Sequence, residues 1–453
     1  MFYSRLTVAA AGLSLLALTG CSLFGLGKDE PVGPGASGYV VGDEPLAVQS
    51  GSAILAQGGS AGDAVTAMYF ALSATYPVAA GLGGGGLCVV RDPASARTQA
   101  VIFLSRDSVA GGSFGVPGTV RGFDVVQRSF GRLPWQRDVS PGEGYAATGF
   151  PISQALEARL RASQNTIRLD ANLSAEFLNE SGGVKAAGTV VSNPDLATTL
   201  SAIRIYGSEA LYRGAIAAKL VAYSATQGGA FKLEELEGYP VERAVPQQVT
   251  IGGETVYLPP KKTGAGAYVA ALLSRVLDAQ GEISASNNPA AAIAGATKAT
   301  LDQFNIQSLP RDLGATGFAA VDSTGQAAAC AVTLNGAFGS GHTAAGTGVI
   351  LAHSPSSKET GLAGAFLAPA IAVSGEAVSL AGAGSGGPNG TAALVYALLN
   401  VGLGQDITQP GHLHSTGLAP FNTINVIVCQ SGGCSALPDP AAQGLGAVAM
   451  PVP

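Results

Sequence analysis

The chain has 453 residues, of which 47% are hydrophobic and 12% charged, and its formal net charge is −6. A chain of this length and composition can bury a large core. Because Lys and Arg form no basic cluster along an acidic chain, we expect neither nucleic acid nor an anionic lipid surface to bind through charge.

The first residues, MFYSRLTVAAAGLSLLALTGCSLFG, place Arg5 before an apolar run that is too short to span a bilayer. The pattern is typical of a secretory signal, and LTGC at 18–21 resembles a bacterial lipobox, whose cysteine receives a diacylglycerol. We therefore expect a signal peptide at 1–20 and a Gly/Pro-rich tether at 21–40 that is lipidated at Cys21. An ordinary signal peptide that happens to contain a cysteine is the alternative.

This export signal predicts a bacterial lipoprotein that faces the periplasm or the cell surface and meets the membrane only through its lipid. In an oxidising compartment the remaining cysteines can form disulfides. CQSGGC predicts a hairpin-end disulfide between Cys429 and Cys434, with free thiols as the alternative, because two glycines allow the chain to turn back. The redox state of Cys88 and Cys330 stays open.

Neither a metal site nor a cofactor site is indicated. The histidines show no zinc-site spacing, and no GxGxxG or P-loop motif stands between a strand and a helix. These histidines are His342, His353, His412 and His414.

The predicted elements begin with two helices in 45–77, where apolar residues recur every three or four positions and Gly58–Gly59 ends the first helix. Four glycines then lead into a strand within 81–92, and such a run indicates a close backbone approach or a sharp turn.

Further along the chain, helices are expected through 150–225, strands at 247–258 and a helix at 266–279. From 313 onward short strands dominate, interrupted by one helix at about 391–403. Helices followed by sheet hairpins, without a regular repeat, indicate a layered α+β fold.

Seven segments together resemble the gamma-glutamyltransferase (gamma-glutamyl transpeptidase) family of N-terminal nucleophile hydrolases. The resemblance implies a four-layer αββα sandwich. It divides the chain into a large-subunit-like region, 41–314, and a small-subunit-like region, 315–453, within one intertwined domain. The segments are LAQGGSAGDAV (55–65), GLGGGGL (81–87), GVPGTVRGFDVVQRSFGRLPW (115–135), NPDLATTL (193–200), LEELEGYPV (233–241), TLNGAFGSG (333–341) and LPDP (437–440).

Active members of that family cut themselves, and the new N-terminal threonine becomes the nucleophile, with its amine as base. The resemblance assigns Arg106 to binding of the substrate carboxylate, although a surface ion pair is the alternative for this residue. It assigns Thr333 to support of the nucleophile, Asn335 to substrate contact and Gly386–Gly387 to the oxyanion hole. Because Thr333 and Asn335 are two residues apart on a predicted strand, we expect them on one face.

Four positions depart from the family pattern. The nucleophile position holds Ala315, which has no hydroxyl. Ser357 stands where the family has an acid that binds the substrate ammonium, and Ala365 and Phe366 replace its paired serines. Half of the expected specificity pocket is therefore changed.

Three functions remain open on this sequence. The chain is a catalytically degenerate family member, or an active gamma-glutamyl or glutaryl-type amide hydrolase or transferase in which Thr316 is the nucleophile, or a protein that binds a small carboxylate ligand through Arg106. The use of Thr316 requires a bulge or a one-residue shift, because side chains alternate along a strand. The sequence does not indicate an oligomeric state.

Overall fold

The computed structural model describes residues 35–278, 289–358, 360–408, 420–430 and 433–452. The predicted signal peptide with Cys21 lies outside these residues, as do His412, His414 and Gly432. None of the helices in the described ranges is long and apolar enough to cross a membrane.

The α-helices of the described residues are concentrated before position 304. They are α1 (Pro45–Ala56), α2 (Ala61–Thr75), α3 (Thr119–Phe130), α4 (Trp135–Thr148), α5 (Gln154–Ala162), α6 (Gln164–Leu169), α7 (Ala171–Phe177), α8 (Pro194–Tyr206), α9 (Glu209–Tyr212), α10 (Gly214–Thr226), α11 (Leu233–Glu237), α12 (Gly264–Val276), α13 (Pro289–Gln303) and α14 (Pro388–Gly402). A 3₁₀ helix spans Thr360–Phe366.

Several of the strands in the described ranges are only two residues long. The strands are β1 (Gly38–Gly42), β2 (Gly85–Asp92), β3 (Arg97–Ile102), β4 (Arg106–Asp107), β5 (Gly115–Val116), β6 (Phe150–Pro151), β7 (Val190–Val191), β8 (Glu242–Ala244), β9 (Gln247–Ile251), β10 (Glu254–Leu258), β11 (Ala315–Asp322), β12 (Ala327–Thr333), β13 (Thr343–Ala344), β14 (Val349–Ile350), β15 (Ala368–Ser374), β16 (Ala377–Ser385), β17 (Thr423–Gln430), β18 (Gly433–Leu437) and β19 (Leu445–Ala449).

Two antiparallel sheets form the centre of the molecule. One has seven strands in the order β19-β1-β11-β12-β2-β3-β8, and the other has six in the order β18-β17-β16-β15-β10-β9. Their facing surfaces bury apolar side chains such as Val41, Ala319 and Ile371. Helices α1 and α2 cover the outer face of the first sheet, and α12, α13 and α14 cover that of the second. The predicted four-layer αββα sandwich is confirmed.

The helices predicted in 45–77 are α1 and α2, and local signals explain their ends. Ser60 caps α2 in a capping box with Asp63, and Pro45 occupies the first turn of α1. The strands predicted at 247–258 are β9 and β10, and the helix predicted at about 391–403 corresponds to α14, which begins three residues earlier and ends one residue earlier. For α1 and α2, apolar spacing and the Gly58–Gly59 stop were sufficient to place the helices.

The predicted close approach of the glycine run is confirmed. A Cβ on Gly84 would lie 2.5 Å from the carbonyl oxygen of Thr333, and one on Gly85 would lie 2.0 Å from the amide nitrogen of Ser105. No side chain fits in either place. The run therefore lets β2 pack directly against the end of β12 and the chain that leads to Arg106.

The cysteines of the described residues form two cross-strand disulfides. Cys429 and Cys434 lie opposite each other on β17 and β18, with their sulfur atoms 2.04 Å apart. Cys88 and Cys330, left open by the sequence, are bonded across β2 and β12 in the middle of the seven-stranded sheet.

Two buried carboxyl groups, Asp63 on α2 and Asp138 on α4, lie together. The Oδ2 atom of Asp63 accepts hydrogen bonds from Ser60, Arg132 and Leu133, but its Oδ1 atom and both oxygens of Asp138 have no donor among the described residues. Burial, and then the neighbouring Asp63, raise the pKa of Asp138 to about 10. Asp138 is therefore protonated at neutral pH and can share its proton with Asp63.

We expect Asp138→Asn to remove a pH dependence of stability. Since the pKa of Asp138 is raised on folding, the folded state binds the proton more tightly, so the wild-type free energy of unfolding falls as pH rises from about 5 to 8, by roughly 1 kcal/mol per unit. Urea unfolding across this range should show a shallower decline for Asp138→Asn. The exposed Asp302→Asn serves as control, and equal slopes for wild type and Asp138→Asn would contradict the assignment.

Candidate functional site

Position 315 opens β11 in the centre of the seven-stranded sheet. Ala315 is 1% exposed, and its methyl group lies in an apolar cluster with Leu87, Ala331, Leu367 and Ala383. The side chain at this position is therefore enclosed between the sheets and offers no reactive atom.

The carbonyl group that precedes Ala315 is held by two hydrogen-bond donors. The Oγ1 of Thr333 donates to the Gly314 oxygen over 2.8 Å, and the amide of Leu334 donates to it over 3.0 Å. Two donors on one carbonyl oxygen polarise the bond and would stabilise an oxyanion formed by attack on its carbon. Gly314 has φ +59°, and a Cβ there would lie 1.8 Å from the Gly336 oxygen, so only glycine fits.

A buried ion pair fixes the backbone on both sides of this peptide bond. Arg159, which is 2% exposed, forms a bidentate pair with Asp312. The Asp312 carboxylate also accepts the amide of Gly314 over 2.8 Å, and Nη1 of Arg159 donates to the Ala315 oxygen over 3.1 Å. The segment before position 315 is therefore tied to α5.

The side chain of Asn335 has different hydrogen-bond partners from that of Thr333, although the Asn335 amide donates to Thr333 Oγ1 over 2.8 Å. The expectation that they share one face is wrong, because β12 ends at Thr333 and Asn335 has left-handed backbone with φ 55°. Its Nδ2 donates to Ser105 Oγ over 3.1 Å and to the His353 oxygen over 3.0 Å. Asn335 thus connects the residue before Arg106 with the loop that carries Ser357.

Arg106 is exposed on β4, where its guanidinium stacks 5.3 Å from the ring centre of Tyr239 and lies 3.5 Å from the Pro240 oxygen. No carboxylate pairs with it in the described part of the chain, which leaves its N–H groups available to an anion.

Asp107 was missed by the sequence analysis, although it directly follows Arg106. Its carboxylate accepts hydrogen bonds from the hydroxyls of Ser354 and Ser356 and from the Ser356 amide. Burial acts to raise the pKa of Asp107, but these hydrogen bonds outweigh it and the pKa is lowered. The carboxylate therefore holds the loop that contains Ser357, whose own amide donates to the Ser354 oxygen over 2.9 Å.

The positions of the family's paired serines are filled by apolar contacts. Phe366 is fully buried, with its ring edge-on to Tyr268 at 4.9 Å, and it shares a cluster with Leu313. Ala365 lies against Gly264 at the start of α12. Neither residue has a hydroxyl that could bind a ligand.

Gly386 and Gly387 connect β16 to α14. A Cβ on Gly386 would lie 1.9 Å from the Phe421 oxygen, and one on Gly387 would lie 2.3 Å from Asn422 Oδ1. Both have positive φ, at 81° and 153°. The turn is thus restricted to glycine, and it leads into the N-terminus of α14 as an oxyanion-binding turn would.

Thr316 points into a separate buried polar network. Its Oγ1 donates to Asp43 Oδ2 over 2.7 Å, and Thr423 and Asn425 donate to the same carboxylate over 3.1 and 2.7 Å. Complete burial raises the pKa of Asp43, even though these hydrogen bonds act to lower it. The β11–β12 register runs without a break from Ala315 opposite Thr333 to Val321 opposite Ala327, so no bulge turns Thr316 toward the position of Ala315.

The structure thus brings Thr333 to the Gly314 carbonyl and connects Asn335 with Ser105, the residue before Arg106, and with the His353 carbonyl. It leaves Thr316 in the Asp43 network. Arg159, Asp312 and Asp43 were not found from the sequence, because each meets its partner across a long sequence separation.

A sequence profile of the gamma-glutamyltranspeptidase family matches residues 47–290, more than half of the chain. Similar curated proteins include glutathione hydrolase 2 of Arabidopsis thaliana, 31% identical over 268 residues that cover 56% of this chain and 46% of that protein. The acylase ACY 1 proenzyme of Pseudomonas sp. (strain V22) is 29% identical over 266 residues, which cover 53% and 48%. The chain spans about half the length of the curated relatives it matches.

Solved structures share the fold. The cephalosporin acylase of Bacillus halodurans superposes with a TM-score of 0.72 at 17% identity, covering 91% of this chain and 96% of that one. The gamma-glutamyltranspeptidase of Helicobacter pylori gives 0.50 at 23% identity, covering 58% and 81%.

The ion pair between Arg159 and Asp312 predicts a loss of stability on substitution, and α5 offers a matched control. Arg159→Gln leaves the Asp312 carboxylate buried without its partner and should lower the free energy of unfolding by about 3–5 kcal/mol. Arg161→Gln breaks an exposed pair with Glu157 and should cost less than about 1 kcal/mol. Urea unfolding measures both, and equal small losses would show that the Arg159 pair does not anchor this region.

Proposed function

The chain belongs to the gamma-glutamyltranspeptidase family, and from this premise we propose that it is a catalytically degenerate member that stays in one piece. The observation that carries the proposal is the Gly314–Ala315 peptide bond. Its carbonyl has two donors, Thr333 and Leu334, but residue 315 supplies only a methyl group. Electrostatic activation is present at this bond and the nucleophile is not.

Self-cleavage in this family begins when the hydroxyl of the nucleophile attacks the carbonyl carbon of the preceding residue. The peptide nitrogen then leaves as the new amine, and water hydrolyses the resulting ester. Because the same hydroxyl later serves in turnover, Ala315 removes both reactions together.

The packing of the preceding segment also supports an uncut chain. Leu313 is 1% exposed beside Tyr268 and Phe366, and Asp312 is paired with Arg159. If the chain were cut, this segment would have to give up apolar burial and a buried ion pair before a substrate could approach.

The substrate side supports loss of gamma-glutamyl specificity. Ala365 and Phe366 offer no hydroxyl to a carboxylate, and Asp107, the acid near Ser357, is engaged by serines. Arg106 remains exposed, so a ligand with a carboxylate and no ammonium fits this surface better than a glutamyl group does.

A second candidate is an active amide hydrolase or transferase that uses Thr316, and one observation favours it. Asp43 accepts a hydrogen bond from the Thr316 hydroxyl, as a general base would. Arg159 donates to the Ala315 oxygen, which belongs to the carbonyl that Thr316 would attack. Against it, Thr316 is fully buried and β11 has no bulge.

We also propose that the chain is a lipoprotein, anchored through Cys21 on the outer side of a bacterial membrane. The LTGC segment after a short apolar run supports this assignment.

One experiment tests whether the chain is cut and whether a hydroxyl at position 315 restores the cut. The purified protein should run as one polypeptide on a denaturing gel, and Ala315→Thr should produce two fragments with a new N-terminus at position 315. Adding Thr333→Val to Ala315→Thr should slow the cut by about a hundredfold or more, because one oxyanion donor is lost. Wild-type fragments that begin at Thr316 would refute degeneracy and establish the second candidate.

Turnover gives a separate prediction. With a chromogenic gamma-glutamyl anilide, even the cut Ala315→Thr protein should show poor activity, because the ammonium lacks a free acid. An unpaired ammonium in a partly desolvated pocket weakens binding by about tenfold to a hundredfold. Efficient hydrolysis by this variant would show that the altered pocket still binds the glutamyl group.

The lipid anchor is tested by Cys21→Ser in a bacterial host. The wild-type chain should incorporate a labelled fatty acid and sediment with membranes, whereas Cys21→Ser should do neither. Unlabelled wild-type protein in the soluble fraction would argue against the anchor.

A further inference from the structure

A surface cavity of about 450 Å³ lies beside the segment that precedes position 315. Its lining includes Arg159 and Arg311, together with Tyr76, Phe421 and Asn422. The volume falls in the range of small-molecule sites. None of the described residues that line it is acidic, although the chain as a whole carries a net charge of −6.

The two arginines differ in how their charges are balanced. The Arg159 charge is neutralised by its ion pair with Asp312, which is not one of the lining residues. Arg311 is exposed and stacks on Phe421, with its guanidinium carbon 5.5 Å from the ring centre. In the part of the chain that the structure describes, no carboxylate pairs with Arg311. The cavity therefore has an uncompensated positive charge at its edge.

Phe421 positions this charge. Its ring contacts both guanidinium groups, with that of Arg159 at 5.6 Å. A guanidinium stacked on an aromatic face loses side-chain freedom while its N–H edge stays available for hydrogen bonds. The edge of Arg311 is thus held ready for a planar, two-point contact.

Backbone strain is concentrated in the same lining. Phe421 has φ 64° and Gln443, another lining residue, has φ 57°. Left-handed backbone is uncommon for residues other than glycine and is a clear outlier for a bulky aromatic one. Such conformations persist where the surrounding structure holds them, often at ligand-binding sites.

From these observations we propose that the Arg311 cavity binds a small ligand that carries an oxyanion, a carboxylate or a phosphate, through a two-point contact with Arg311. The ring of Phe421 supplies an apolar contact to the rest of the ligand. Asn422 accepts the Asn389 amide through Oδ1 and donates to the Pro420 oxygen through Nδ2, so its second Nδ2 hydrogen is the one available to the ligand. The site is distinct from the surface around Arg106, because it is lined by residues of α5, by Arg311, by residues 420–422 and by residues 441–443.

The inference rests on the proposed function, since the 311–314 segment has this position in a chain that is not cut at Ala315. A denaturing gel of the same samples tests that premise separately. If the chain is cut, the gel contradicts the proposed function, whereas binding data from an intact chain test the cavity alone.

The test is calorimetric titration of the purified full chain with glutarate, inorganic phosphate and neutral glutaramide at low ionic strength. Glutarate or phosphate should bind, and the tighter of the two identifies the oxyanion, while glutaramide should not bind. Arg311→Gln should weaken binding by about tenfold or more, the loss expected for charge-assisted hydrogen bonds. Arg311→Lys should bind the anion more tightly than Arg311→Gln but less tightly than wild type, because lysine keeps the charge without the two-point geometry.

The exposed Arg97→Gln is the matched control and should bind as wild type does. Because Arg311 is exposed, its variants should unfold at the wild-type temperature, which a thermal scan checks. Three results would overturn the proposal: neither anion binds, Arg311→Gln binds as well as wild type, or Arg106→Gln abolishes binding while Arg311→Gln does not.

Discussion

The buried pair between Arg159 and Asp312 holds the backbone on which the whole site is arranged. Two charges removed from water are tolerated only when they are paired and their remaining hydrogen-bonding groups are occupied. Here the spare groups bind the chain itself, because Asp312 accepts the Gly314 amide and Arg159 donates to the Ala315 oxygen. The peptide bond before Ala315 is thereby held from α5, while Thr333 at the end of β12 and the next residue, Leu334, hold its carbonyl.

This arrangement separates two requirements of acyl chemistry. Oriented donors lower the energy of a negative charge on the carbonyl oxygen, but they accomplish nothing without an atom that attacks the carbon. At the Gly314–Ala315 bond the donors are in place, but residue 315 has a methyl group where a nucleophile would need a hydroxyl. These two donors also belong to the fold, since the Thr333 and Leu334 hydrogen bonds extend the β11–β12 pairing to Gly314.

Much of the architecture could be predicted from the sequence, because the signals were local or came from several motifs. The Gly58–Gly59 end of the first helix and the glycine run before β2 are readable without a structure, as are the short strands that dominate from 313 onward. The remaining features join residues that are distant in sequence. Arg159 meets Asp312 across 153 positions and Thr316 meets Asp43 across 273, and no periodicity connects such pairs. Asn335 was misplaced for another reason: the alternation rule for strands was applied two residues beyond the end of β12.

If the chain is degenerate as proposed, a ligand is held by non-covalent contacts alone, and the arginine stacked on Phe421 is one cation that can make them. A zwitterionic glutamyl group needs a cation and an acid at a fixed separation, and the acid beside Arg106 is occupied by Ser354 and Ser356. An anion needs only the cation. Arg106 and Arg311 are each exposed, stacked on an aromatic ring and without a carboxylate partner among the described residues. An acid that is already occupied favours anions over zwitterions, and the site proposed beside Arg311 would place such a ligand near the Gly314–Ala315 peptide bond and the Arg159 pair.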